Sequence, residues 1–277
     1  LAFGSLRNGN WDVFIMPAMG GRAIQLTWHS GHEIPFGWSP DSRRISFAAR
    51  RNPPKYAVYT VDIQSKRTGL VCEDYATMRY PRWSPDGKRM VFGRYGFPWY
   101  RARYEGSAAA QIWTFDLKSK KRARVPGTDN KRQHLYAQFM PDGKSLLAVT
   151  TGEPTPSSAK LGKKRSLFKD NPNHTPNLWL IDLDGKRKQL TKLSGDAVRY
   201  PSVSSNGDIA FEYRDGIWLL PKGAKNPKRI QLLVLSDSKR NPRRYERITR
   251  GVTEAEPSPD GKYMAFGLKG DIWVVRS

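Results

Sequence analysis

The chain has 277 residues, of which 48 are Lys or Arg and 25 are Asp or Glu, giving a formal net charge of +23 at pH 7. Aromatic residues make up 12% of the sequence, which excludes a wholly disordered chain, and no apolar run approaches the roughly 18 residues of a transmembrane helix. The single cysteine, Cys72, excludes a disulfide framework and zinc sites built on paired cysteines.

A turn phrase containing Asp or Asn recurs along the chain, and its clearest copy is Ser84-Pro85-Asp86-Gly87. Proline presets one turn dihedral and Asp-Gly accepts positive φ, so the phrase predicts a tight reversal. The apolar run that follows each copy predicts a short buried strand. The turn residues, which we interpret as structural, are Asp41, Asp86, Asp142, Asn206 and Asp260.

After each buried strand the sequence predicts two further strands, of which the first is rich in aromatic and β-branched residues and the second is shorter. The aromatic-rich strands are predicted, in chain order, at Trp11–Met16, Tyr56–Ile63, Gln111–Leu117, Asn177–Leu183, Gly216–Leu220 and Asp271–Val275. The shorter strands are predicted at Ala23–Thr27, Thr68–Val71, Lys188–Thr191 and Arg229–Leu232. With the residues before the turn phrase, each unit is expected to hold four antiparallel strands.

Four-stranded units that repeat at about 45 residues are typical of β-propeller blades. The sequence therefore predicts an all-β fold, a six-bladed β-propeller of four-stranded antiparallel blades in which both terminal blades are incomplete. The propeller is predicted over residues 1–250, with units at 1–31, 32–73, 76–128, 133–193 and 197–235. Residues 251–277 are predicted to form a further partial blade, which either closes the ring or starts a following propeller.

The chain begins and ends inside a blade, so we expect it to be a fragment of a longer protein; a frayed six-bladed ring is the alternative. Two long insertions are predicted at 93–110 and 150–176, the second as a surface loop because it is rich in Pro, Ser, Lys and Asn. The charged connector at 236–250 is the candidate domain boundary.

Three stretches carry a resemblance to a known family. Residues 20–29, which run into Trp38-Ser39-Pro40-Asp41, resemble early blades of the first propeller of tricorn-type proteases. Residues 99–113 resemble the insertion of that propeller, and residues 249–275 resemble the passage into the second one. The turn phrase with an Ile-Trp strand behind it is also similar to the repeats of TolB. The chain thus resembles the N-terminal six-bladed β-propeller of a tricorn-like serine protease.

This resemblance implies a propeller within a larger serine peptidase whose catalytic serine lies in a separate C-terminal domain. It implies a non-catalytic role, as a channel or gate for peptides and as a scaffold that contacts neighbouring domains or further copies of the chain. We therefore expect protein or peptide partners and no peptide hydrolysis by this chain alone. A TolB-like envelope protein that binds a partner protein is the alternative, and an extracytoplasmic location, such as the periplasm, is favoured over a cytoplasmic one.

An aromatic and cationic stretch in the first insertion is the candidate contact for a peptide or partner. Arginine pairs bidentately with carboxylates, which a peptide terminus offers. The alternative is a surface loop packed on its own blade. The candidate residues are Trp99, Tyr100, Arg101, Arg103 and Tyr104.

Basic residues concentrate in the turns that follow the aromatic-rich strands, and turns of one type lie on one rim of a propeller. Such a rim attracts acidic peptides, an acidic partner domain, an anionic membrane or nucleic acid over about 8–10 Å. Nucleic acid is the less favoured partner because no recognised reader motif is present, and a uniformly basic proteome also explains the charge. The predicted basic rim consists of Lys118, Lys120, Lys121, Arg122, Lys186, Arg187 and Lys188.

No catalytic residue, cofactor or metal site is predicted. His29 and His32 flank a Ser-Gly turn beside Glu33, but this cluster offers too few ligands for a metal ion, so both are interpreted as loop histidines. Neither a Gly-x-Ser-x-Gly elbow nor a Gly-rich phosphate loop is present. Cys72 is predicted to be a buried apolar residue. The tryptophans that recur in the aromatic-rich strands are predicted to lie in the core between blades; they are Trp113, Trp179, Trp218 and Trp273.

Overall fold

The computed structural model describes residues 1–52, 55–96, 101, 104–128, 130–151, 175–231, 247, 249–268 and 271–276. Over these ranges the chain forms antiparallel β-strands and no α-helix, so the all-β prediction is confirmed. The described part of the chain also contains no helix long and apolar enough to cross a membrane. By its contacts the chain divides into two compact units, Leu1–Gln231 with five sheets and Leu232–Ser277 with one.

Each sheet is a meander in which consecutive strands pair antiparallel. Sheet 1 contains β1 (Ala2–Ser5), β2 (Asp12–Ile15) and β3 (Ile24–Gln25). Sheet 2 contains β4 (Glu33–Trp38), β5 (Arg44–Ala49), β6 (Ala57–Asp62) and β7 (Thr68–Cys72). Sheet 3 contains β8 (Met78–Trp83), β9 (Arg89–Arg94), β10 (Gln111–Asp116) and β11 (Arg122–Arg124).

Sheets 4 and 5 complete the first unit, and sheet 6 forms the second. Sheet 4 contains β12 (His134–Phe139), β13 (Ser145–Thr150), β14 (Asn177–Asp182) and β15 (Arg187–Gln189). Sheet 5 contains β16 (Arg199–Val203), β17 (Ile209–Tyr213), β18 (Gly216–Leu220) and β19 (Lys228–Arg229). Sheet 6 contains β20 (Val252–Pro257), β21 (Tyr263–Leu268) and β22 (Asp271–Arg276).

The apolar core of the first unit lies between consecutive sheets. Strand β13 shows the pattern, because all six of its residues are buried. Leu146 and Ala148 pack with residues of sheet 3, whereas Leu147 and Val149 pack with residues of sheet 5. Alternate side chains of a strand point to opposite faces, so a strand covered on both faces favours consecutive apolar residues, such as the four at the centre of β13. This explains the continuous apolar runs that follow the turn phrases.

A small hydrogen-bond network closes the turn between the first two strands of a sheet. In sheet 3, the Ser84 hydroxyl donates to Asp86 Oδ1 at 2.5 Å and accepts from the Arg89 amide at 2.9 Å. The Lys88 amide also donates to Asp86 Oδ1, at 3.0 Å. These bonds lower the pKa of Asp86, chiefly through the Ser84 hydroxyl and then through the Lys88 amide. The turn aspartates therefore have the structural role predicted for them.

The turn also demands a left-handed backbone at its last position. Gly87 has φ 69°, and the equivalent residue in sheet 2 is Ser42, with φ 57°. This conformation costs a residue with a Cβ about 1–2 kcal/mol of free energy. Glycine adopts it without that cost, but it loses more chain entropy on folding. Ser42 is therefore a locally strained position that the sequence of the other turns does not share.

The predicted core tryptophans divide between the two units. Trp113, Trp179 and Trp218 pack, partly buried, against the cores between sheets of the first unit, so the prediction is confirmed for them. It is wrong for Trp273, which is 51% exposed, because the described part of its own unit contains no second sheet to cover this face. Cys72 is buried as predicted, and burial raises the pKa of its thiol to about 12.

Several predicted segments lie outside the described residues. They comprise 97–100 and 102–103 of the first insertion, 152–174 of the second, and most of the connector at 236–250. The closure of six blades into one ring stays a prediction, and so does the assignment of residues 251–277.

We expect Gly87→Ala and Ser42→Gly to change stability in opposite directions. A Cβ at Gly87 would meet no atom closer than Pro40 Cγ at 3.8 Å, so the cost of Gly87→Ala, about 1 kcal/mol, arises from φ alone. Ser42→Gly relieves the strain but increases the chain entropy lost on folding, so we expect the free energy of unfolding to increase by about 0.5 kcal/mol. Urea unfolding of both variants measures these changes, and changes of the same sign would contradict the account.

Candidate functional site

The first strands of sheets 2 to 5 form a continuous inner surface of the first unit. Strand β4 contacts β8, β8 contacts β12, and β12 contacts β16. Each of them is an edge strand of its own sheet, so its outer edge is not paired within the sheet. We call β4, β8, β12 and β16 the inner strands. Side chains of different sheets can therefore meet here.

Each inner strand carries a β-bulge at the same place. The pairing register shifts between Arg79 and Arg82 in β8, and at the corresponding positions of β4, β12 and β16. Within three of these bulges a tyrosine adopts the left-handed conformation, with φ 57° at Tyr80, 56° at Tyr136 and 46° at Tyr200. Such φ values are genuine outliers for bulky residues, and strained positions of this kind cluster at functional sites.

The bulges place one aromatic ring per sheet in contact with the next. The ring centroids of Phe36 and Tyr80 are 5.2 Å apart, those of Tyr80 and Tyr136 are 4.7 Å apart, and those of Tyr136 and Tyr200 are 5.2 Å apart. We call these four residues the aromatic ladder. Edge and tilted contacts at these distances stabilise a pair by about 0.5–1.5 kcal/mol beyond burial. The ladder therefore ties the inner strands together.

Hydrogen bonds between phenol groups accompany the ring contacts. Tyr136 shares side-chain hydrogen bonds with Tyr80 and Tyr200, and Tyr80 also bonds to Arg79. Burial, followed by the neighbouring phenols, raises the pKa of Tyr136. Burial also raises the pKa of Tyr80, so the hydroxyls of Tyr80 and Tyr136 stay protonated at neutral pH and remain hydrogen-bond donors. Tyr136 is only 8% exposed, whereas Tyr200 at the end of the ladder is 60% exposed.

Sequence reasoning did not identify the inner strands as a site. A signal for them was present, because Tyr80-Pro81 and Tyr200-Pro201 stand at the same distance before two of the turn phrases. The pattern is incomplete, since Tyr136 lacks the proline and Phe36 follows one instead.

The predicted peptide-contact residues are only partly described. Trp99, Tyr100 and Arg103 lie outside the described residues. The Arg101 guanidinium lies over the Tyr104 ring, 5.7 Å from its centroid, and the Tyr104 amide donates to the Arg101 carbonyl at 3.0 Å. The structure thus brings this cation and this ring together, and their role in binding stays a prediction.

The residues of the predicted basic rim differ in what they contact. Lys118, Lys120 and Lys121 are exposed in the turn before β11 and form no ion pair with any described residue. Lys186 pairs with Asp184 at 3.3 Å, and Lys188 is exposed on β15.

Arg122 and Arg187 instead bind the segment that leaves the preceding sheet. Arg122 Nη1 lies 2.7 Å from Asp74 Oδ2, and Arg187 Nη1 donates to the Gly127 carbonyl at 3.5 Å. The cations of the rim that have no protein partner are therefore fewer than its sequence suggests.

An ion cluster centred on Asp74 joins sheets 2 and 3. Besides Arg122, Asp74 accepts two hydrogen bonds from Arg94, at 3.0 Å from Nη2 and 3.1 Å from Nε. The Arg94 guanidinium also lies over the rings of Tyr75, Tyr95 and Trp113, at 4.8, 4.5 and 5.2 Å. Burial alone would raise the pKa of Asp74, but the hydrogen bonds and the positive charges outweigh it and the pKa is lowered.

The two adjacent histidines have structural contacts. The Gly31 amide donates to His29 Nδ1 at 2.8 Å, and the Trp11 amide donates to His32 Nδ1 at 3.3 Å. Among the described residues no group of three or more His, Cys, Asp or Glu side chains could hold a metal ion.

A cavity of about 230 Å³ opens where sheet 2 ends. Its lining combines phenol rings with charges of both signs. The lining residues are Asn52, Lys55, Tyr56, Ala57, Tyr59, Glu73 and Asp74.

Comparison with known proteins identifies a family and a relative that are similar to this chain in sequence. The family described as the tricorn protease N-terminal beta propeller domain matches residues 1–226. Dipeptidyl-peptidase 5 of Porphyromonas gingivalis is 27% identical over 210 residues, which cover 70% of this chain and 25% of that protein. The aligned region thus spans about a quarter of the peptidase.

Two solved structures described as TolB share the fold. TolB from Acinetobacter baumannii has a TM-score of 0.63 at 16% identity, covering 99% of this chain and 60% of that one. The protein from Agrobacterium tumefaciens has a TM-score of 0.53 at 21% identity, covering 70% of this chain and 61% of that one. The chain therefore spans about three fifths of these structures, and identities this low show a common fold alone.

We expect Asp74→Asn to lower the free energy of unfolding by about 2–3 kcal/mol at neutral pH, because it leaves Arg94 partly buried without its counter-charge. The folded-state pKa of Asp74 is lowered, so its contribution is complete above the unfolded pKa and is lost as the pH falls through the folded value. The difference between the two proteins should therefore shrink below about pH 4.

Urea unfolding at several pH values measures this difference. Asp184→Asn is the matched control, since its ion pair with Lys186 is exposed on both sides and should leave stability nearly unchanged. A difference for Asp74→Asn that stays constant down to pH 3 would contradict the assignment.

Proposed function

The chain belongs to the family of tricorn protease N-terminal β-propeller domains, and from this premise we propose that it is the non-catalytic propeller domain of a tricorn-like peptidase. In this role it guides or gates peptides and serves as a scaffold for neighbouring domains. Peptide-bond hydrolysis is then the task of another part of the same protein. An extracytoplasmic location is part of the proposal.

The family match over residues 1–226 is the observation that carries this proposal. It covers all five sheets of the first unit apart from the last short strand, so it concerns the propeller fold as a whole. The likeness to a dipeptidyl-peptidase supports a peptidase context. A peptidase activity of the whole protein is therefore part of the proposal.

Two features of the first unit suit contact with peptides. At the end of the aromatic ladder, the exposed ring of Tyr200 can pack against the side chains of a peptide. Arg101, stacked on Tyr104, offers a guanidinium fork to a carboxylate. The full predicted contact also includes Trp99, Tyr100 and Arg103, which we retain in the proposal.

Partner binding through the propeller, as in a TolB-like envelope protein, is the second candidate function. The observation that favours it is the exposed basic turn of Lys118, Lys120 and Lys121, which can attract an acidic protein surface. Nucleic acid is the less favoured occupant of this turn, because no recognised reader motif accompanies it.

We expect Arg101→Ala to weaken the binding of a fluorescein-labelled nonapeptide by roughly fivefold to tenfold, the loss of one charge-assisted hydrogen bond. Tyr104→Ala should weaken binding less, because it removes only the ring on which the guanidinium rests. Fluorescence anisotropy titrations of the full chain measure both effects. Replacing the C-terminal carboxylate of the peptide by an amide should reproduce the effect of Arg101→Ala and add nothing to it.

Arg67→Ala is the matched control, since Arg67 is an exposed arginine in a different turn. Hydrolysis of the labelled peptide by the chain alone would contradict the non-catalytic role. Unchanged affinity in Arg101→Ala would remove this residue from the peptide contact. The second candidate would be favoured if the chain bound an acidic protein saturably, if Lys120→Glu abolished this binding, and if the chain did not bind the peptide.

A further inference from the structure

Arg82 lies on the inner strand β8, at the end of the β-bulge that contains Tyr80. Its side chain crosses to the neighbouring inner strand β4 at Gly37. A Cβ placed on Gly37 would lie 3.0 Å from Arg82 Cδ and 3.6 Å from Arg82 Nη1. The absence of a side chain at Gly37 therefore provides the space that the guanidinium occupies.

The Arg82 guanidinium has no ion pair, hydrogen bond or ring contact with any residue that the structure describes. Other substantially buried arginines of the first unit differ in this respect. Arg94 is held by Asp74, and Arg51 Nε lies 2.7 Å from Glu33 Oε1. Burial is the single cause that lowers the pKa of Arg82, with no carboxylate close enough to oppose it.

A half-buried charge without a partner still costs free energy, because the hydration that it has lost is not replaced. The long stem of arginine can be buried among apolar groups at no such cost, but a methionine would fill the same space without a charge. The observation that needs explaining is therefore a half-buried guanidinium without a described partner, kept in a space that a missing side chain leaves for it.

We propose that Arg82, in the space left by Gly37 between β4 and β8, is the binding site for an oxyanion, a carboxylate or a phosphate. The planar guanidinium offers parallel N–H donors that match the two oxygens of such a group. The charged group beside it on the same strand is the exposed Arg79, which is also positive. The adjacent phenol of Tyr80 supplies a neutral donor rather than a competing acceptor charge.

This site does not depend on the proposed function. If the chain guides peptides, the oxyanion is a peptide carboxylate; if it does not, an inorganic or organic phosphate can fill the same place. The two sources are separated by the probes of the experiment.

Thermal unfolding of the full chain tests the proposal with three probes at matched ionic strength set by chloride. The probes are inorganic phosphate, trialanine and trialanine amide. At tenfold excess over its dissociation constant, an anion that binds the folded chain should raise the melting temperature by about 3 °C or more. Trialanine amide, which lacks the carboxylate, should give no increase.

Arg82→Met removes the charge and keeps an apolar stem. We expect it to abolish the anion-dependent increase and to melt about 2–4 °C above the native chain without anion, since the desolvation cost is gone. Gly37→Ala keeps the charge but occupies its space, and should also reduce the anion effect. Arg67→Met, the control for an exposed arginine, should keep the full increase.

Each outcome decides the proposal. An increase for phosphate, trialanine or both that requires Arg82 supports it and identifies the source of the oxyanion. An increase for phosphate alone leaves the site intact and counts against the peptide role of the domain. Equal increases in the native chain and in Arg82→Met, or no increase with either anion, would overturn it. Arg82→Lys, which keeps the charge and folds with the least change, should retain less than half of the increase and guards against misfolding of the methionine variant.

Discussion

The first unit is governed by the requirement that sheets 2, 3 and 4 cover both of their faces. A sheet of four short strands cannot do this alone, and the alternating side chains of strands such as β9 and β13 satisfy the requirement by packing against two neighbours. Met90 and Phe92 face sheet 2 while Val91 faces sheet 4. Repetition of the four-stranded sheet follows from this constraint. The contact between the inner strands follows from it as well, and the bulges, the aromatic ladder and Arg82 lie there.

The fold class could be predicted because its signals are local. The residues Ser84-Pro85-Asp86-Gly87 by themselves predict a tight turn, because each favours the dihedral angles that the turn requires. A continuous apolar run indicates a strand buried on both faces. The positions of the aromatic-rich strands and of β7 were predicted to within about one residue. The bounds predicted for β3, β15 and β19 differ more from the structure, because only two or three residue pairs specify each of these strands. The exposure of Trp273 could not be foreseen, because it depends on which sheets share a compact unit.

The candidate site was harder to predict because its members are distant in the sequence. Arg82 and Gly37 belong to different sheets, and neither stands in a motif that signals a ligand. The composition instead indicated the basic turns, because they hold many positive charges. Some of these charges, such as Arg122, already pair with a carboxylate. Among the described residues, Arg82 combines partial burial with the lack of a partner, and burial is a property that a single sequence does not reveal.

We infer that the inner strands, rather than the basic turns, are the binding surface of this domain. Photo-cross-linking with a peptide that carries a benzophenone group, followed by mass spectrometry of the adducts, tests it most directly. The account predicts saturable adducts on β8 and β12, around Tyr80, Arg82 and Tyr136, that excess unlabelled peptide suppresses. Adducts confined to the turn of Lys118, Lys120 and Lys121 would contradict it.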